Sequence, residues 1–433
     1  MDPARKKWLR NLVEHISNNF AFSLQDNARS LQLDMTGSDF VYELLHLTGL
    51  VLGYPERSVF KPHPLSNEWN ETDKAKIFFT ESLIACYLFH HQKEITIPPT
   101  GENISTLLAD AVESVARFYS QYKPTKERQH LVEIPKIFKS DSSTISKVEQ
   151  IINHRLKPAR IIDTDYWRAS QYNIFIFLDI VFFSQWLIDT ESILYKQESL
   201  IQEEIIKVIA VSIKYTNNKN KNVERNFLKF FLEHAIHRSK LKTLGKPGNE
   251  NLTIGTISLG DSWPTIINQT LFEYSIFTFM LDKIIDDKET GYIDQIADYL
   301  GIDKQQKELC ILAVTNFIYK NLKVLPYLKS RHKLDIIGSN LSQRLQSIIL
   351  KNRGKISREI RESKELAELL WKAKNTHLTA EEREKVKHQL TDIFLRTIPS
   401  LAIFMIPGGA ILLPMLLKIL PEEILIPSSF RNK

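Results

Sequence analysis

Cysteine is almost missing from this chain: Cys86 and Cys310, 224 positions apart, are the only two in 433 residues. A disulfide framework or a cysteine-rich zinc site needs several at short spacing, so both are excluded and a reducing compartment fits. Glycine and proline are sparse too, at 14 and 17 residues, which excludes collagen-like and low-complexity chains. Neither charge sign dominates. The 57 basic and 51 acidic residues leave +6, a bias too mild in so long a chain to indicate DNA, though it permits contact with RNA or anionic lipid. A cleaved export signal is not expected: Arg5, Lys6 and Lys7 suit its charged start, but Glu14, His15, Asn18 and Asn19 break the apolar run that must follow. There is no glycine-rich phosphate loop, no Gly-x-Ser-x-Gly elbow and no Cys-His nucleophile arrangement. No catalytic residue and no cofactor are therefore expected.

What is abundant is apolar residues at helical spacing, 43% of the chain being hydrophobic, so the expected class is all-α with a multi-helical soluble body. Val41, Leu44, Leu45 and Thr48 share one helix face, as do Leu107, Leu108, Val112, Val115 and Phe118. Residues 172–188 are apolar enough to suggest a span, but Asn173, Asp179 and Gln185 interrupt them, and a buried core helix is expected. The expected regions are an N-terminal helical region over 1–243, a linker or short β-hairpin over 244–260, a further helical region over 261–350, and charged helices with a hydrophobic segment over 351–433. The hairpin is expected at Leu252 to Leu259, where apolar and polar residues alternate.

From Ser262 to Asn321 the pattern runs helix, acidic turn, short helix, Leu300-Gly301, helix, with Asp303 and Gln306 spaced as a capping pair. Over about 60 residues this resembles the tellurite-resistance B-like helical fold, in which an acidic turn links two helices and a Leu-Gly step ends the second. The acidic turn does not fit a calcium loop. With Gly291 at the sixth position, Asp286 takes the first, but Lys288, Thr290 and Ala297 stand where oxygen ligands are needed. His234 and His237 beside Glu233 have no local third ligand, and His90-His91 and Glu127 with His130 are weaker still, so no metal site is expected.

Between Lys351 and His388 stand eleven Lys or Arg and seven Glu around Ile356, Ile360, Leu366, Leu369 and Leu370. Mixed charges of this kind usually coat a solvated helix face; the alternative is a strip contacting a ribosome or lipid through Arg353, Lys355, Arg358 and Arg361. Thr379 and Glu382 then form a capping box for a helix carrying Val386, Leu390, Ile393 and Phe394 on one stripe. Beyond it, Thr397 to Leu417 holds no ionisable residue across 21 positions, bounded by Arg396 and Lys418. At about 1.5 Å per residue such a run reaches about 30 Å, one hydrocarbon core. Pro399, Pro407 and Pro414 remove backbone donors, and Pro407-Gly408-Gly409 permits either a broken spanning helix or a helical hairpin.

Leu395-Arg-Thr-Ile-Pro-Ser-Leu401, Ile406-Pro407, Leu412-Leu-Pro-Met-Leu-Leu-Lys-Ile-Leu-Pro421 and Ile426-Pro-Ser-Ser-Phe430 carry a resemblance. Over about 40 residues they look like the anchor segment of the leucine-zipper/EF-hand-containing transmembrane (LETM) family. The layout is also similar to that of bacterial LETM-related proteins associated with biofilms. The resemblance implies a membrane anchor built on Arg396, Pro399, Pro407, Gly408, Gly409, Pro414, Lys418 and Pro421, cation/proton exchange, and ribosome binding by a region after the anchor. The residues favour a narrower reading. Thr397 to Leu417 lacks the titratable group that usually couples protons to transport, and only 13 residues follow Leu420. The expectation is a non-enzymatic scaffold or adapter on the cytoplasmic face of a bacterial inner membrane. Its partners would be the lipid bilayer and ribosomes or membrane proteins, with no DNA and with self-association open. An ion-homeostasis component and a wholly soluble helical interaction protein are the alternatives.

Overall fold

The computed structural model describes residues 1–26, 36–60, 62–91, 101–122, 134–139, 142–158, 172–216, 222–241, 252–281, 285, 287–321, 324–325, 343, 345–397 and 417. Among the described residues every regular element is helical and no strand occurs, as the apolar spacing predicts. The chain divides into two compact units, one over 1–24 and 35–330 and the other over 25–34 and 331–433. Residues 244–260 thus fall inside the first unit and position 351 inside the second.

The first unit contains α1 (Trp8–Asp26), α2 (Gly37–Thr48), α3 (Glu71–His90), α4 (Gly101–Ser120), α5 (Ile134–Phe138), α6 (Thr144–Arg155) and α7 (Phe177–Ile188). It continues through α8 (Glu198–Tyr215), α9 (Asn222–His234), α10 (Arg238–Leu241), α11 (Thr265–Met280), α12 (Asp287–Tyr299) and α13 (Lys304–Asn321). Local chemistry starts and stops these helices. Thr36, Asn70 and Ser143 each accept a hydrogen bond from the backbone N–H three residues on, satisfying a donor the first turn leaves free. Asp303 and Gln306 bond each other's backbone N–H at 3.1 and 2.8 Å, the box their spacing predicts.

Packing follows from which helices are apolar on one side and which all round. In α2, Val41, Leu44, Leu45 and Thr48 are buried together; in α4, Leu108, Val112, Val115 and Phe118 are buried and Leu107 half-buried. The apolar stretch at 172–188 is a core element: a 3₁₀ turn over Ile174–Ile176 feeds α7, and Phe177 to Phe183 are all buried. α8 and α11, buried on nearly every side, pack on each other, while α3 packs on α7 and α11 on α13. A helix without a polar face belongs at the centre of such a body.

The expected hairpin at Leu252 to Leu259 does not form. Ile254–Thr256 makes a 3₁₀ turn in which the Thr256 hydroxyl donates to the Thr253 carbonyl at 2.6 Å and accepts from the Thr253 N–H at 3.3 Å. Leu252 and Ile257 are buried. Alternation over eight residues places every second side chain inward in a turn as readily as in a strand. With side-chain bonds closing the turn locally, no ladder partner is needed.

Gly49 ends α2 with φ +71°, donating its N–H to the His46 carbonyl. A Cβ at this position would run into the Tyr54 carbonyl oxygen and the Glu56 side chain. Gly49→Ala is therefore expected to cost more than the roughly 1–2 kcal/mol of the left-handed conformation alone, read as a lower melting temperature.

The second unit contains α14 (Arg353–Glu362), α15 (Lys364–Asn375) and α16 (Ala380–Thr397), each packed on the other two. Ile356, Ile360, Leu366, Leu370, Val386, Leu390 and Ile393 are buried, with Leu369 half-buried. Ser363 alone separates α14 from α15, and its hydroxyl caps α15 by accepting from the Leu366 N–H at 3.4 Å. Thr379 and Glu382 form the capping box of α16, at 2.9 and 3.2 Å.

Candidate functional site

The charged helices of the second unit divide into two kinds of surface. On α15 and α16 several charges engage polar partners: Lys372 bonds Glu382 at 2.6 Å, Lys385 stands 3.7 Å from Glu381, and Gln389 donates to Glu365 at 2.8 Å. The bond from Lys372 holds the Glu382 carboxyl below its ordinary pKa. On α14 the helix turns Ile356, Ser357 and Ile360 inward and leaves Arg353, Lys355, Arg358 and Arg361 exposed. None of those four has an ion-pair partner among the described residues. Arg358 lies three residues from both Lys355 and Arg361, and Glu359 and Glu362 are interleaved with them, so α14 carries four cations against two acids. An external anion is favoured by that excess of positive charge.

Arg396 belongs to α16. Pro399, Pro407, Gly408, Gly409, Pro414, Lys418 and Pro421 lie outside the described residues, as does most of the uncharged run. Among the described residues no helix is long and apolar enough to cross a membrane. Glu127 and His130 are likewise outside the described residues. His234 is a core side chain, its Nδ1 2.8 Å from the Phe230 carbonyl and its ring centroid 4.9 Å from that of Phe230. His237 is half-buried. Among the described residues no group of three His, Cys, Asp or Glu is placed to hold a metal ion.

The first unit holds polar clusters that the sequence did not announce. Arg155, at the end of α6, donates from Nε to Asp179 Oδ2 at 2.7 Å and from Nη2 to Asp179 Oδ1, and also to Glu198 Oε1 at 3.0 Å. Tyr119 of α4 adds a hydrogen bond to Asp179 at 2.5 Å, and the guanidinium sits 5.8 Å from the centre of the Tyr122 ring. All three charged side chains are 0% exposed. Burial alone would discharge Arg155, but the two carboxylates keep it protonated well above its ordinary range. Burial raises Asp179, with Arg155 opposing, and Tyr119 is raised by burial and by Asp179. The cluster staples α4, α6, α7 and α8 from inside and offers no face to a substrate.

A second cluster joins α2, α11 and α13. Tyr42 donates to Glu273 at 2.5 Å, His46 Nε2 is 2.9 Å from the same oxygen but out of hydrogen-bond alignment, and Cys310 Sγ is 3.7 Å from the Tyr42 hydroxyl. Burial pushes the Tyr42 hydroxyl and the Cys310 thiol well above their ordinary values, which disfavours the thiolate form. In a third, the Glu81 carboxylate accepts from the Ser58 hydroxyl at 2.7 and 2.8 Å and from the Val59 N–H at 2.7 Å, pinning the loop after α2 onto α3. Asp179 is visible in sequence as a charge within an apolar run; Arg155, Glu198 and Glu273 carry no such mark. No family model, no curated protein and no solved structure matches the chain.

Proposed function

We propose that this protein is a non-enzymatic, LETM-like helical scaffold or adapter, with its helical body held at a bacterial inner membrane on the cytoplasmic side. One observation carries this reading. α16, capped at its start and packed in a three-helix bundle, leads to Thr397, the first residue of the 21-residue uncharged run. A helix fixed by its own bundle is a firm base for a tether, because the load passes into a core of aliphatic side chains. The first unit is consistent with scaffolding: Arg155 is bonded to Asp179 in one buried cluster, and Glu273 and Cys310 are each bonded to Tyr42 in another, which ties helices together inside a packed body.

The bundle sets where to cut. Removing residues 398–433 leaves α14, α15 and Ala380–Thr397 of α16 in place. The truncated chain is expected to move from the membrane fraction to the soluble fraction after a high-salt wash, while full-length protein stays with membranes until detergent is added. Full-length protein that is soluble without detergent would sink the tether reading.

A further inference from the structure

We infer that the exposed face of α14, through Lys355, Arg358 and Arg361 with Arg353 beside them, is a binding surface for the anionic phospholipid headgroups of the membrane that receives the tether. This deepens the tether reading and rests on it. The argument begins with where α14 ends. Ser363, which joins α14 to α15, donates its hydroxyl to Gln389 of α16 at 3.2 Å, and Gln389 donates onward to Glu365 at 2.8 Å. At the other end of the pair, Lys372 bonds Glu382, so α15 and α16 run antiparallel. The α14–α15 junction is thereby fixed at Gln389. From there Thr397 is eight residues further along α16, about 12 Å at 1.5 Å per residue.

Arg361 precedes Ser363 by two positions and Arg358 by five, so both sit close to that junction. A headgroup layer is roughly 5–8 Å deep on each side of the hydrocarbon core, and a long arginine side chain spans much of the remaining gap. A bilayer entered at Thr397 therefore brings its headgroups within reach of these cations. The charges there are available: they are exposed, they outnumber Glu359 and Glu362 on the same helix, and they have no ion-pair partners among the described residues, whereas Lys372 and Lys385 on the neighbouring helices are engaged by Glu382 and Glu381. RNA fits this surface less well. Single-stranded RNA is held by stacking as well as by charge, and the ten residues of α14 include no aromatic side chain.

The test uses the full chain with phosphatidylcholine vesicles, with or without phosphatidylglycerol. At low salt the protein is expected to partition more strongly onto the phosphatidylglycerol vesicles. Raising salt from about 0.1 M to about 1 M, which shrinks the screening length from about 10 to about 3 Å, should abolish that preference. Arg358→Gln with Arg361→Gln should reduce partitioning onto the anionic vesicles by roughly 25-fold, about fivefold for each juxtamembrane cation removed. Lys372→Gln with Glu382→Gln, which removes an already neutralised pair, should leave it unchanged, and matching circular dichroism confirms that both variants fold. Equal partitioning onto the two vesicle types, or a preference that survives the arginine replacements, overturns the inference. Loss of ribosome cosedimentation in the arginine variant with vesicle preference intact also overturns it and assigns the face to RNA. Failure of the tether is separately visible. Ile411→Arg should remove only the salt-resistant association and keep the low-salt anionic preference; wild-type protein with no salt-resistant association on either vesicle type would show that the tether reading itself is wrong.

Discussion

Arg155→Met is expected to destabilise the first unit by about 3–5 kcal/mol, the cost of leaving buried carboxylates without their cation. Asp179 and Glu198 both depend on this one guanidinium, and none of the three has a path to water, each being 0% exposed. The measurement is the urea midpoint of the first unit, followed by a probe within it because two units need not unfold together. Glu198→Gln should cost less, since Arg155 then keeps its two bonds to Asp179. Replacing Arg155, Asp179 and Glu198 together with apolar residues of similar volume should recover much of the loss, because the desolvation of all three is then removed at once. A triple variant as unstable as Arg155→Met alone would mean that the cost lies in packing rather than in charge.

Stability is expected to fall as pH rises from about 5 to about 8, and the buried Glu81 is one of the carboxyls responsible. Burial pushes its carboxyl up to about 7, although the hydrogen bonds from Ser58, Val59 and Phe60 favour the charged form. In the unfolded chain the value is 4.5. The folded state therefore holds a proton that the unfolded state has released between these limits. The stabilisation is complete below pH 4.5 and is lost as pH rises through 7, about 3 kcal/mol in all. Glu43, pushed up to about 8 by burial and by Asp39, acts in the same direction. Thermal melts of wild type between pH 5 and pH 8 should show a decline steeper than that of Glu81→Gln by about 5–10 °C. Parallel declines would place the carboxyl of Glu81 at its ordinary value.

What was legible in the sequence was what depends on neighbours along the chain. The boxes at Thr379 with Glu382 and Asp303 with Gln306 are three-residue events and appear where their spacing puts them. The burial of α7 follows from a composition too apolar to leave a wet side. The hairpin at Leu252 to Leu259 failed because strands need a partner, and alternation along one segment says nothing of whether one exists. Arg155 was illegible for another reason: its partners Asp179 and Glu198 stand 24 and 43 positions away, and arginine is ordinarily a surface residue. The basic strip falls between these cases. Sequence counts its charges, but only the fold separates the arginines of α14 from lysines such as Lys372, held by an acid on another helix.

The bond between Tyr42 and Glu273 spans 231 positions, and that between Tyr274 and the Val51 carbonyl spans 223. A ribosome adding about 5–20 residues per second needs roughly 10–50 s to travel that far. For that interval α2 can close against α3, where Phe40 stacks on Phe89, and against α7, but the side of it that meets α11 has been made and has no cover. The newborn chain thus shows one side of this helix to the cell until its last cover is made. The yield of folded protein is therefore expected to depend on what guards that side during synthesis as well as on how firmly the finished core holds together.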